Sequence, residues 1–410
     1  MAEGEDRADG RQADLSAGAA RGRIALLDAL RAFALFGILQ VNIQSYLWGA
    51  STLAFFASAP TAADRVAFLL ICTLVYSKFV ALFAFIFGHG FALQMRSLRS
   101  ALVDERAARS AYRRRLLFLL LLGIAHGCLL YFGDILPLYA AVGFLLVLYA
   151  SSRPRRLARH ARFALGAYAV LLTVVAGALA LYDRATPPKS AQIPAEALTR
   201  FAAASEGSYS QYLSANVGDY LSMLGAAPLA LPFVLGMFLL GALAARQGWL
   251  TRPERHTRLW RRAARLGVVL LPLAALLGWA TFESLRQRPE LLGGAAFGAL
   301  ALTFPITGLY LAWILAKRDA GWMQSVIGWL APAGRMPLTN YLSQSVLMGL
   351  LLSGWGLGWG KDLGVAALSL AAFGIVLVQV IASRLWMARF GTGPVEALWK
   401  RATYGARAGR

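Results

Sequence analysis

Long apolar runs alternate with short segments dense in arginine and lysine along this chain, and the alternation places membrane crossings. A crossing needs about 20 mostly apolar residues to cover roughly 30 Å of hydrocarbon. Ten such runs are predicted, over 24–47, 76–95, 114–132, 135–151, 163–182, 219–244, 264–282, 293–316, 337–354 and 363–386. The basic segments Arg96–Arg115, Arg153–Arg162, Arg246–Arg265 and Lys317–Arg335, with the tail from Arg389 to Arg410, separate alternate runs, while the intervening loops carry few charges. The positive-inside rule makes the basic segments cytoplasmic. The predicted fold is therefore all-α, a polytopic integral membrane bundle of about ten transmembrane helices with both termini in the cytoplasm.

Residues 1–22 mix Ala, Gly and charges without hydrophobic periodicity and read as a disordered cytoplasmic tail. The membrane domain then covers 23–388, and 389–410 reads as a cytoplasmic C-terminal tail. Asp28 and Arg31 interrupt the first apolar run, which is too long for a cleaved signal, so that span is expected to stay attached. Residues 62–75 fit an amphipathic helix at the outer interface leading into the second span. The stretch around Trp322 and Trp329 fits the inner interface, where Trp is favoured. The longest outer loop, 183–218, contains Pro187, Pro188 and Pro194 and either covers an outer vestibule or simply connects. Pro228 and Pro232 in the sixth span and Pro305 in the eighth free backbone carbonyls that protein or water has to satisfy. No inverted repeat is evident.

Composition agrees with this pattern. Of the 410 residues 58% are hydrophobic and only 15% charged, whereas a soluble domain is about a quarter charged. The formal charge of +21 would suggest nucleic acid in a soluble protein. The basic runs, however, are pinned between apolar spans and lack interleaved aromatics, which excludes that class. The two cysteines, Cys72 and Cys128, both lie in apolar stretches and support neither a disulfide framework nor a zinc spacing.

Polar residues inside the spans carry the candidate chemistry. At about 100° per residue, Asp28, Arg31 and Asn42 fall within an arc of about 60° and form one stripe. Asp28 and Arg31 can pair at i,i+3, and ionisable groups in membranes face the bundle interior or a watery cavity. The stripe either orients the span at the inner interface or serves substrate and catalysis. His126 lies about eleven residues beyond the Arg113–Arg115 cluster, roughly 17 Å into the bilayer, and an imidazole there is the first candidate for a general base. Gly123 and Gly127 flank it at the small-xxx-small spacing of tight helix contacts, so an interhelical hydrogen bond is the alternative. His89, between Gly88 and Gly90, is expected to line an inward-facing cavity or to pack. Asp134 follows His126 by eight residues, about 12 Å along a continuing helix. Direct pairing is therefore not expected, and Asp134 fits the outer mouth or a cap for the fourth span. Asn340 and Gln344 share a face at i,i+4, as packing amides do. Arg335 at the inner end of that span has the planar fork that grips phosphate or carboxylate.

Three stretches resemble the YeiB-like membrane protein family, a domain of unknown function: RIALLDALRAFALFGILQVNI, RRRLLFLLLLGIAHGCLLYFGDILPLYAAVG and GRMPLTNYLSQS. The tail RFGTGPVEALWKRATYG resembles that family's terminal signature. The family is similar to a wider group of transmembrane acyltransferases that includes the heparan-glucosaminide acetyltransferases and glucan succinyltransferases, and the LD-x-LR-x-F start, with Asp28 and Arg31, is part of that likeness. The resemblance implies acyl transfer from cytoplasmic acyl-CoA, a co-substrate and not a resident cofactor, to a hydroxyl or amine of an envelope glycan or lipid. In the heparan enzymes the loop after the first span supplies a catalytic histidine; residues 48–64 here contain none.

Three readings follow. In an O- or N-acyltransferase, Arg31 and Arg335 hold the donor phosphates, His126 takes the proton, and Asn42 or Asn340 orients a reacting carbonyl, within one hydrated pocket. In a carrier or flippase, His126 and Asp28 are proton or ion sites. In a scaffold, the polar residues serve packing alone. The Ala-, Arg- and Leu-rich composition suggests a GC-rich bacterium and hence its cytoplasmic membrane, where the bilayer is the partner.

Overall fold

The structure, a computed structural model, describes residues 25–52, 61–101, 104–185, 193, 195–286, 300 and 302–404. The N-terminal tail, Pro187, Pro188 and Pro194, and the first part of the span expected over 293–316 lie outside them. Among the described residues the chain is helical with no strand: an all-α membrane bundle. Six helical stretches are long and apolar enough to cross a bilayer: Ala25–Ser45, Ala62–Ser100, Pro154–Leu179, Tyr209–Gln247, Pro253–Ser284 and Val365–Phe390. The spans expected over 114–132, 135–151 and 337–354 coincide with helices that fall short of that length or hydropathy.

We label the helices α1 (Ala25–Ser45), α2 (Ala62–Leu70), α3 (Lys78–Ala101), α4 (Glu105–Leu129), α5 (Leu136–Val147), α6 (Pro154–Ala185), α7 (Ala195–Ser205), α8 (Tyr209–Ala226), α9 (Leu231–Gln247), α10 (Thr257–Arg286), α11 (Thr303–Lys317), α12 (Gly321–Arg335), α13 (Pro337–Leu352), α14 (Val365–Phe390) and α15 (Pro394–Tyr404). Large apolar side chains turned outward, such as Phe163 on α6, Val269 on α10 and Leu370 on α14, fit a surface solvated by lipid. Inside, buried apolar residues form two main bodies. One gathers Leu30, Phe85, Tyr139, Phe238 and Tyr341, the other Tyr46, Tyr131, Tyr212, Tyr220 and Met348.

Small residues set the helix spacing. Gly88 on α3 faces the Phe238 carbonyl, and Gly241 on α9 faces the Phe85 carbonyl, so these two helices meet backbone to backbone. Gly334 near the end of α12 lies against the Asp28 backbone. Gly123 and Gly127 are contact points as their spacing suggests: Gly123 meets Leu136 and Pro137 of α5, and Gly127 meets the Tyr220 ring of α8.

Two stretches of helix are interrupted, one ahead of the second expected span and one within the sixth. The segment 62–75 forms α2 and a π-helical turn at Ile71–Val75 before α3 begins, as its reading as a lead-in helix anticipated. The sixth span divides into α8 and α9 at the 3-10 turn Ala227–Ala230, with Pro228 in the turn and Pro232 in the first turn of α9. Proline is tolerated there because first-turn N–H groups need no helical partner.

The reversal between α4 and α5 decides the interior. Helix α4 ends at Leu129, and the carbonyls it leaves free are taken by α8. The Asn216 amide donates to Gly127 O and Cys128 O, both at 2.8 Å, while Tyr209 Oη and Tyr212 Oη donate to Leu129 O and Leu130 O. Asn216 also accepts the Phe132 N–H. A chain can turn back inside a buried interior only when such groups are satisfied by protein, and this turn carries Asp134.

Candidate functional site

Asp134 does not continue away from His126, because α4 stops after Leu129 instead of running on. The reversal brings Asp134 Oδ2 to 3.1 Å from His126 Nδ1, correcting the expectation that the two stand about 12 Å apart. The expected capping role holds as well, since Asp134 Oδ1 accepts the Leu136 N–H at 2.8 Å. The same oxygen accepts the Tyr341 hydroxyl at 3.0 Å. On the other edge of the imidazole, His126 Nε2 lies 2.9 Å from Ser345 Oγ of α13. Asp134, His126 and Ser345 thus form a line across the turn, α4 and α13, all of them buried, with 5%, 3% and 2% of their surface exposed. Neither His126 Nδ1 nor Asp134 Oδ2 has a hydrogen-bond partner elsewhere. Their alignment falls short of a well-formed hydrogen bond, and the 3.1 Å approach is an electrostatic contact.

Below this line, on the side of the basic loops, a cavity of about 580 Å³ opens between α1, α3, α4, α5, α12, α13 and α15. Its inner wall carries Arg31, Arg115, Arg335 and Lys400 with Asp28 and Glu396, and its deeper wall is apolar, with Phe83, Phe87, Leu119 and Leu136. Arg31 pairs with Asp28 as the i,i+3 spacing predicts. Arg335 donates one bond to Gly391 O, and Arg115 lies 3.3 Å over the Trp399 ring. Four cations against two carboxylates leave the wall positive, with Asp28 and Glu396 engaged locally, which suits an anionic group arriving from the basic side.

The single pocket expected to join Arg31, His126 and Arg335 is divided. Arg31 and Arg335 share the cavity, whereas His126 stands outside its wall. The connection is Leu136, which lines the cavity and whose N–H donates to Asp134. His89 is fully buried and does not line the cavity, although Gly90 beside it does; its two ring nitrogens have no hydrogen-bond partner. Asn42 is half-buried, lines no part of the cavity, and accepts Ser45 Oγ on its backbone carbonyl. Asn340 donates to Ala333 O and Ser383 Oγ, and Gln344 donates to Gln379 Oε1. That arrangement ties α13 to α14, as packing amides do.

Several participants carried no distinct sequence signal. Ser345 was only the last letter of a motif, and Asn216 lay in a polar loop reading. The tail segment forms α15 and packs under the bundle. Glu396 Oε1 accepts the Leu338 and Thr339 N–H groups at 2.7 and 3.1 Å, and Oε2 accepts Thr339 Oγ1. A carboxylate thus caps α13. Trp399 Nε1 donates to Arg115 O. A signal for this was available: PVEALW is amphipathic and follows the helix-ending Gly391, whose φ is +68°.

Residues 244–406 match the family described as "Protein of unknown function (DUF418)". Over 402 residues the chain is 31% identical to the uncharacterized protein YxaH of Bacillus subtilis, covering 93% of this chain and 94% of that one. It is 32% identical over 399 residues to the uncharacterized protein YeiB of Escherichia coli, covering 92% and 95%. An uncharacterized 39.9 kDa protein of Bacillus acidopullulyticus is 24% identical over 386 residues. No solved structure matches.

Proposed function

The chain belongs to the YeiB-like, DUF418 family of membrane proteins, and we propose that it is a multi-pass acyltransferase of the bacterial cytoplasmic membrane. It moves an acyl group from cytoplasmic acyl-CoA to a hydroxyl or amine of an envelope glycan or lipid. The observation that carries this reading is the His126 imidazole, held between Asp134 and Ser345 directly beyond a cationic cavity.

Each part has a physical role. Arg31, Arg335, Arg115 and Lys400 bind the donor phosphates; guanidinium forks hold phosphate oxygens in pairs and resist deprotonation. The apolar depth of the cavity takes the extended arm and acyl group. Asp134, fixed by Leu136 and Tyr341, favours the His126 tautomer with its proton on Nδ1, which leaves Nε2 to receive a proton from a hydroxyl. The acyl carbon reaches the hydroxyl that gives its proton to Nε2 when the packing around Leu119 and Leu136 opens. Asp28 keeps Arg31 oriented. Asn340 and Gln344 fix α13 and the register of Ser345, while Asn42 and His89, which line no part of the cavity, take no part in the transfer.

The test is transfer from a panel of radiolabelled acyl-CoAs to membrane glycans and lipids by purified protein in nanodiscs. Label leaves acyl-CoA, and His126→Ala slows it by about 10²–10⁴, the usual contribution of a general base, with donor binding retained. Donors that neither bind nor stabilise the protein sink this reading.

One observation favours a second reading. The His126–Asp134 pair is buried between the inward-opening cavity and the tyrosine-rich outer body, an arrangement that also suits a proton-coupled carrier. Uptake into vesicles driven by a pH gradient, with the substrate chemically unchanged, distinguishes the two.

A further inference from the structure

We infer that Ser345 is a nucleophile that carries the acyl group covalently, so that transfer runs in two half-reactions through an acyl-serine. The inference rests on the acyltransferase reading and names a catalytic residue within it.

The geometry has the parts that activate a serine. Ser345 Oγ is 2.9 Å from His126 Nε2, within reach for proton transfer. Nδ1 faces Asp134 Oδ2 at 3.1 Å. The other oxygen of Asp134 is held by the Leu136 N–H and the Tyr341 hydroxyl, which turns Oδ2 toward the ring. A nucleophile, a base and a group that orients the base is the arrangement that recurs in serine acyl transfer on unrelated folds. A Ser–His bond serving packing alone would not require a buried carboxylate on the far nitrogen, a group costly to place at this depth.

The position along α13 supplies a reason for a covalent stage. Tyr341, one turn before Ser345, belongs to the inner apolar body, and Met348, one turn after, belongs to the outer one. Ser345 therefore stands at their junction. A donor from the basic side and an acceptor from the opposite side need not meet if the serine holds the acyl group between visits.

In the first half-reaction the Ser345 Oγ–H proton passes to His126 Nε2 as Oγ bonds the thioester carbon. The C–S bond then breaks, and the thiolate takes that proton and leaves as free thiol. In the second, the acceptor hydroxyl or amine gives its proton to Nε2 and bonds the acyl carbon. The bond from that carbon to Ser345 Oγ breaks, and Oγ recovers the proton.

The experiment uses the full chain in nanodiscs with radiolabelled acetyl-, butyryl- and succinyl-CoA and no acceptor, followed by denaturation, peptide mass spectrometry and alkaline release. A parallel sample receives a fluorophosphonate, which labels an activated serine whatever the donor. Label from acyl-CoA on Ser345, up to one per chain and absent from Ser345→Ala, is the expected result. Ser345→Cys keeps the shape of the site and converts the linkage to a thioester, released by neutral hydroxylamine. Acyl transfer to an acceptor by a chain that never carries label, label on another residue, or undiminished transfer by Ser345→Ala overturns the nucleophile and leaves the acyltransferase standing. Fluorophosphonate labelling at Ser345 without consumption of any acyl-CoA supports the activated serine and removes the acyl-CoA reading. Neither kind of label, with no transfer from any of these donors when membrane glycans and lipids are supplied as acceptor, removes both.

Discussion

Asn216 accepts the Phe132 N–H at 2.8 Å, and this contact between α8 and the turn after α4 fixes Asp134 opposite His126. The same amide donates to Gly127 O and Cys128 O, so one buried side chain satisfies three backbone groups. Replacing it with leucine leaves all three unpaired. Each buried unpaired group costs about 1–3 kcal/mol, so Asn216→Leu is expected to lower the thermal midpoint in detergent markedly. Equal midpoints for leucine and wild type contradict this account of the reversal.

Glu396 reaches from α15 to cap α13. Removing a cap costs about 0.5–2 kcal/mol, so Glu396→Ala destabilises by that order, while Glu396→Gln, which keeps an acceptor, costs less. Hydrogen exchange checks the location: the Leu338 and Thr339 amides should exchange faster in Glu396→Ala than in wild type, and amides of α9 should not.

Asp28 and Arg31 make a double-mutant cycle. Removing one partner of a buried pair strands the other charge at a cost of about 3–5 kcal/mol, here reduced because Arg31 borders the cavity and keeps partial solvent access. Arg31→Gln is therefore more destabilising alone than with Asp28→Asn. Additive losses in unfolding measurements would show that the pair contributes no coupling.

Arg335 donates to Gly391 O and otherwise faces the cavity. Loss of a charge-assisted contact of about 1.5–3 kcal/mol corresponds to roughly 10- to 150-fold weaker binding of a phosphate-bearing donor. Arg335→Ala should raise the dissociation constant by that amount in calorimetry with little change in thermal stability. Arg335→Lys recovers part of it, because a point charge replaces the fork. Unchanged affinity places the phosphates elsewhere.

The side on which the cavity opens is also testable. Single cysteines at Arg155 and Arg258, in a background lacking Cys72 and Cys128, should react with a membrane-impermeant maleimide only after the cells are broken. Labelling of intact cells would invert the cavity, since both positions lie in the basic segments that define its side.

The membrane class, the all-α architecture and the pairing of Asp28 with Arg31 were legible in the sequence because they depend on local quantities. Run length, hydropathy, loop charge and helical period are properties of neighbours along the chain. The close contacts at Gly123 and Gly127 followed from spacing in the same way. The His126–Asp134 approach was not legible, since a helical rise carried past Leu129 separates the two residues, and nothing local to α4 announces the stop. The stop is made by Asn216, Tyr209 and Tyr212 from a segment about eighty positions downstream. Ser345 joins His126 from 219 positions away, and Glu396 joins α13 from 58 positions beyond Leu338. Only packing of the helices could decide which polar groups share a site, because each buried donor and acceptor had to find its partner among all the surfaces that folding brought together.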